Sequence, residues 1–123
     1  MGHLVDCLPD VFAPLGRVAV KRMFGGHGIW HDGLMFALVA GGTLYLKADA
    51  ASASHFDALD LPPFGYERRG RRMQTSYRQA PEILFEDRQQ AALWSRRAFE
   101  AALRAANAKP ARAKKARPRP PAG

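Results

Sequence analysis

GGHGIWHDGLMFALVAGGTLYLKA, residues 25–48, is the stretch whose reading decides the fold. Two turn signals punctuate it, Asp32-Gly33 and Gly41-Gly42, each flanked by β-branched, aromatic or aliphatic residues. The pattern predicts a three-stranded antiparallel meander. Its middle strand, Leu34-Met35-Phe36-Ala37-Leu38-Val39, is apolar on both alternations and is therefore expected to be covered on both faces. In the third strand Leu44 and Leu46 point one way, Tyr45 and Lys47 the other. Helices or another surface must pack on such a sheet.

Upstream, Leu4, Leu8, Val11 and Leu15 recur at helical spacing, widened by Val5 and Phe12, and predict an amphipathic helix closed by Gly16. Pro9 makes that helix begin near it or bend there. The intervening Lys21-Arg22-Met23-Phe24-Gly25-Gly26-His27-Gly28 reads as a glycine-rich turn with Phe24 buried. Its backbone amides suit an anion nest, but it lacks the lysine and hydroxyl of a P-loop and the GxGxxG spacing of a dinucleotide site. Downstream, Asp49 is placed to cap a short helix running to about Leu59, with Phe56 and Leu59 facing inward, before Pro62-Pro63 ends it. A second hairpin follows, Phe64 to Arg68 and Met73 to Arg78, with Tyr66 and Tyr77 anchoring its base. Asp87 through Gln90 has capping-box spacing. Ala91, Trp94, Ala98 and Ala101, with Phe99, Ala102 and Leu103, then make a long helix ending near Asn107. The expected fold is one α+β domain over residues 1–107. It has an antiparallel sheet of about five strands and N-terminal, middle and long C-terminal helices.

The loop of the second hairpin is Arg68-Arg69-Gly70-Arg71-Arg72, four guanidinium groups around one glycine. Guanidinium is planar and permanently charged, so such a tip suits phosphate or carboxylate; the plainer reading is a solvated turn whose arginines repel one another. The formal net charge of the 123 residues is +8, but Lys109, Arg112, Lys114, Lys115, Arg117 and Arg119 follow every acidic residue. Without those six, 13 basic residues face 11 acidic ones, so the folded part carries only about +2. Segment 108–123 has four prolines and no large apolar residue, and it is expected to be a disordered basic tail. Such a tail tethers a polyanion without reading its sequence.

Other chemistry is sparse. His27 and His31, four residues apart on a strand, would stand roughly 13 Å from one another, too far to share an ion. His3 and His55 have no second ligand at helical spacing, so no metal and no cofactor is expected. Ser52, Ser54, Ser76 and Ser95 lack a nucleophile elbow, and Cys7 lies on an apolar helical face where a thiolate is disfavoured. Glu86-Asp87 fits helix capping, and Asp57 with Asp60 a solvated helix edge. No catalytic constellation emerges. Cys7 is the single cysteine, which excludes an intrachain disulfide framework and fits a reducing compartment. No leader-like segment opens the chain, and the longest apolar run, Leu34 to Ala40, is short of the roughly 20 residues of a membrane helix. A cytoplasmic location and no membrane partner are expected.

Arg22-Met23-Phe24-Gly25-Gly26 followed by Gly28, Asp32-Gly33-Leu34-Met35-Phe36-Ala37-Leu38, Leu44-Tyr45-Leu46-Lys47, Tyr66-Glu67-Arg68 and Ser76-Tyr77 resemble, in order and wording, the TfoX N-terminal domain family. The resemblance covers roughly residues 4 to 106. It implies a non-enzymatic α+β domain in a bacterial regulatory or nucleic-acid-associated setting. The family takes its name from the TfoX/Sxy regulator of natural competence. There the domain is joined to a C-terminal one, and the protein acts with the cyclic-AMP receptor protein as a coactivator. The resemblance brings no catalytic residues with it, and it attributes RMFGG and DGLMFAL to architecture.

Three functions compete. The first is a regulatory adaptor contacting DNA, or a DNA-bound regulator, through Arg68, Arg69, Arg71 and Arg72, with Lys21 and Arg22 joining if the two loops adjoin and the tail cations adding non-specific attraction. The second is a module for an acidic protein partner. The third is a small-ligand domain with a cleft near His27, Trp30 and His31, between hairpin and helix.

Overall fold

The structure is a computed structural model, and it describes residues 3–23 and 25–108. Ten elements follow one another: α1 (His3–Val11), β1 (Ala19–Met23), β2 (Gly26–His31), β3 (Leu34–Ala40), β4 (Thr43–Lys47), α2 (Ala53–Asp57), β5 (Pro63–Arg68), β6 (Arg71–Gln79), α3 (Ile83–Glu86) and α4 (Arg88–Ala108). The six strands form one sheet in the order β1-β2-β3-β4-β6-β5, with every neighbouring pair antiparallel. This is the expected α+β fold, and β2, β3 and β4 are the predicted meander. Among the described residues no helix is long and apolar enough to cross a membrane.

The sixth strand, β1, falls where the sequence reads as a glycine-rich turn. Ala19 to Met23 pairs residue by residue with Trp30 to Gly26, so Gly26, His27 and Gly28 lie in a ladder rather than an anion nest. Edge position explains the miss: two cations, Lys21 and Arg22, interrupt the apolar alternation of a strand that only Val20 ties to the core. The expected burial of Phe24 falls outside the described residues.

A register shift sets the two faces of the sheet. Ile29 pairs with Ala37 but Trp30 pairs with Met35, leaving Phe36 as the extra residue of a bulge. Phe36 and Ala37 are therefore both fully buried on the helical side, while Met35 and Leu38 point to the opposite face. Phe36 meets Phe12, just after α1, edge-on at 5.0 Å and Phe99 of α4 at 6.2 Å. Leu44 and Leu46 extend this core, and Tyr45 and Lys47 point away as predicted. The second face of β3 is not sealed by another layer: Met35 and Leu38 stay half-buried and line a groove.

The helices lock on through polar ends. Asp49 Oδ1 accepts from the Ser52 amide at 3.1 Å and the Ser52 hydroxyl accepts from the Asp49 amide at 3.0 Å, a reciprocal cap ahead of α2. The Arg104 guanidinium then grips the same carboxylate from α4, at 2.7 and 3.0 Å. Asp87 Oδ1 receives the amides of Gln89 and Gln90, the predicted cap of α4. Trp94 packs on Phe56 at 5.1 Å and joins α4 to α2. Two inward assignments are corrected. Leu59 is 52% exposed because α2 stops at Asp57, and Leu103 is 39% exposed because it lies on the outer side of α4. The single-turn α3 carries no periodicity that a sequence could reveal. Helix α1 runs through Pro9 without starting there, and α4 continues through Ala108, so only residues 109–123 of the expected tail remain, outside the described residues.

Phe36→Ala removes the ring at the junction of sheet, α1 and α4 and should cost about 3–5 kcal/mol in urea unfolding. The Arg104 hydrogen bond holds the Asp49 carboxyl below the usual aspartate range. A depressed folded-state pKa gives stability that is present above the unfolded-state pKa and lost as pH falls through the folded one. The stability gap between the native chain and Asp49→Asn, read from urea midpoints, should therefore shrink steadily from pH 6 towards pH 2.

Candidate functional site

The arginine loop is a two-residue turn. Arg68 pairs with Arg71 and Glu67 with Arg72, leaving Arg69 and Gly70 as the only loop residues. Both have positive φ, 54° and 77°, the combination that matches the right-handed twist of a hairpin. Gly70 adopts it without strain, whereas Arg69 is a rare non-glycine residue there. Arg69 and Arg71 are exposed; the side chains of Arg68 and Arg72 lie outside the described residues.

Strand β6 pairs with β4 only through Tyr77, Arg78 and Gln79, so the remainder of the β5–β6 hairpin extends past the end of β4 as an arm. The sequence misplaces its base. Tyr66 pairs with Met73, well out along the arm, and the base is built from Phe64 and Tyr77. Phe64 packs on Tyr45 at 4.9 Å, its carbonyl accepts from the Thr75 hydroxyl at 3.1 Å, and the Tyr77 hydroxyl donates to the Met35 carbonyl at 3.3 Å. That last bond crosses from β6 to β3. It fixes the root of the arm on the face of the sheet opposite the helices.

Lys21 and Arg22 do not join the tip. They lie on β1, at one edge of the sheet, and the tip joins β5 and β6 at the other side, with the three strands β2, β3 and β4 between. As adjacent strand residues, Lys21 and Arg22 also face opposite ways, and the Lys21 ammonium stands 5.4 Å from the centre of the Trp30 ring. Other cations are spent on structure: Arg78 donates to the Leu61 carbonyl at 2.6 and 2.8 Å and to Asp57 at 2.8 Å, and Arg104 holds Asp49. The tail cations Lys109, Arg112, Lys114, Lys115, Arg117 and Arg119 lie outside the described residues.

The expected cleft at His27, Trp30 and His31 is split by the sheet. His31 turns to the helical side, where its Nδ1 is 2.7 Å from the Arg17 carbonyl oxygen and its ring meets Phe99 at 4.9 Å. Trp30 faces the other way, beneath Lys21. His27 borders a groove of ≈ 650 Å³ on the open face, lined by Met23, Met35, Leu38, Phe64 and Tyr77 among others. Sequence reasoning missed this groove because its walls come from β1, β3 and the root of the β5–β6 arm. No cluster of three or more His, Cys, Asp or Glu side chains that could hold a metal occurs among the described residues.

The described residues thus form a six-stranded antiparallel sheet with helices on one face and an arginine-tipped arm at one end. The family model described as TfoX N-terminal domain matches residues 10–102, and the chain belongs to that family. It is 29% identical over 97 residues to "Protein Sxy" of Escherichia coli (strain K12), covering 77% of this chain and 46% of that protein. It is 30% identical over 69 residues to "DNA transformation protein TfoX1" of Aliivibrio fischeri, covering 56% of this chain and 33% of that protein. The chain thus spans less than half the length of both curated relatives.

Burial at the root of the arm pushes the Tyr77 hydroxyl up to about 12. An ionised Tyr77 is disfavoured in the fold, so its contribution to stability is present below the unfolded-state pKa of about 10 and is lost between pH 10 and 12. A spectrophotometric titration of tyrosinate should show a late phase near pH 12, which Tyr77→Phe should delete.

Proposed function

We propose that this chain is a regulatory domain of the TfoX/Sxy type that contacts DNA, or a protein already bound to DNA, through the arginine-tipped β5–β6 arm. The observation that carries this reading is the tip itself. Arg69 and Arg71 are exposed on a tight turn that projects past the neighbouring strand, while Arg78 and Arg104 are tied to carboxylates. Guanidinium groups on a narrow two-stranded ribbon suit phosphate oxygens, and backbone contacts of this kind position a protein on a duplex without reading its sequence. Base readout belongs to a partner. The name of the Aliivibrio relative, a DNA transformation protein, supports a setting connected with DNA.

The fold supports a binding role rather than turnover, and a cytoplasmic setting follows from that role. The tail cations add counterion release, with a salt slope of at most roughly −5 if all six met phosphates. The tip would add roughly −3 from Arg69, Arg71 and Arg72.

Fluorescence anisotropy with a labelled duplex across a salt series separates the two contributions. The full chain is compared with one whose six tail cations are changed to Gln, and with one carrying Arg69→Ala, Arg71→Ala and Arg72→Ala. The reading expects the tail variant to keep measurable binding and the tip variant to lose roughly three units of salt slope. Binding that disappears with the tail cations and ignores the tip would turn the search to an acidic protein partner.

A further inference from the structure

The open face of the sheet holds a second feature, away from the arginine tip. Trp30 lies on it with an indole Nε1–H that is buried and has no hydrogen-bond partner among the described residues. A buried, unmade donor is costly and calls for an explanation. Its surroundings supply one. A Cβ added at Gly28 would stand 2.6 Å from Met23 Sδ, 2.8 Å from Met35 Sδ and 3.1 Å from Trp30 Nε1. Two thioethers and the indole nitrogen therefore converge on the space that residue 28 leaves open by having no side chain. Thioether sulfur is a weak acceptor on an unbranched, adaptable chain, so these two groups form a cover that can yield.

Met23 and Met35 also line the groove of ≈ 650 Å³, whose size falls within the range of small-molecule sites. Leu38, Phe64 and Tyr77 add apolar and aromatic wall, His27 and Thr75 add polar groups, and none of the described lining residues is acidic. The charge near the indole is positive: Lys21 is exposed, its ammonium 5.4 Å from the Trp30 ring centre, with no carboxylate in ion-pair distance among the described residues. A waiting N–H donor, a cation on the same indole and an apolar trough together select for one chemistry.

We infer that the groove binds a small organic carboxylate with an apolar body. Its hydrocarbon or aryl portion would lie along Met35, Leu38, Phe64 and Tyr77. Its carboxylate would displace the methionine sulfurs, accept the Trp30 indole proton and face Lys21. The volume suits a single small molecule rather than a helix or a folded partner.

The protein contains its own control. Trp94 Nε1 already donates to Gln90 Oε1 at 3.2 Å, on the helical side of the sheet. In a ¹⁵N-labelled full chain the two indole N–H signals are separate reporters. Decanoate, titrated below its micellar concentration, should move the Trp30 signal downfield and saturably while Trp94 stays in place. Decanol, with a similar body and no charge, should bind at least roughly five-fold more weakly, the factor that an exposed ion pair of about 1 kcal/mol provides. Lys21→Gln, a surface change, should bring decanoate down to the decanol level. Absence of a saturable Trp30 shift, equal binding of decanol, or indifference to Lys21→Gln would overturn the inference. Equal movement of both indoles would overturn it too, as the mark of non-specific association.

Discussion

One extra residue in β3 governs the architecture. A strand presents alternate residues to each face, so without the bulge Phe36 and Ala37 could not both be buried beneath the helices. The bulge resets the phase. Phe36 then reaches Phe12 and Phe99, Ala37 and Val39 continue the same face toward Leu46 and Leu44, and Met35 and Leu38 are left on the other side. The helical core and the open groove are consequences of the same local irregularity.

The two faces do different work. The helical face is closed by rings and by polar locks such as Asp49 with Arg104. The open face keeps half-buried methionine and aromatic side chains beside an unpaired indole N–H, and from its margin the β5–β6 arm carries arginines outward. Both edges of the sheet are guarded against pairing with another chain. The outer strand β1 carries Lys21 and Arg22, and β5 begins at Pro63, which has no amide hydrogen to donate.

Much of this was legible in the residues, for local reasons. Asp32-Gly33 and Gly41-Gly42 announced their turns, Asp87 its cap, and the alternation of Leu44 to Lys47 its two faces. The arginine tip was legible as a loop, though not as a turn of only two residues, because Arg71 and Arg72 carry no sign that they belong to the strand. What escaped depends on partners distant in sequence. Strand β1 is recognisable only once β2 lies beside it. Tyr66 reads as a base residue from sequence, but the register of the arm, set at its tip, pairs it with Met73 farther out. The parting of Trp30 from His31 follows from period-two geometry, whereas the groove follows from the Tyr77 hydroxyl reaching Met35 across an intervening strand.

The arm is proposed, rather than the folded domain as a whole, as the part that meets a nucleic-acid assembly. Amide chemical-shift mapping of the ¹⁵N-labelled full chain with a short duplex at moderate salt tests it most directly. The account predicts that the largest shifts among residues 3–108 cluster at Arg68 to Arg72, with α4 and the groove residues unchanged. Shifts confined to residues beyond Ala108, with the tip silent, would contradict it.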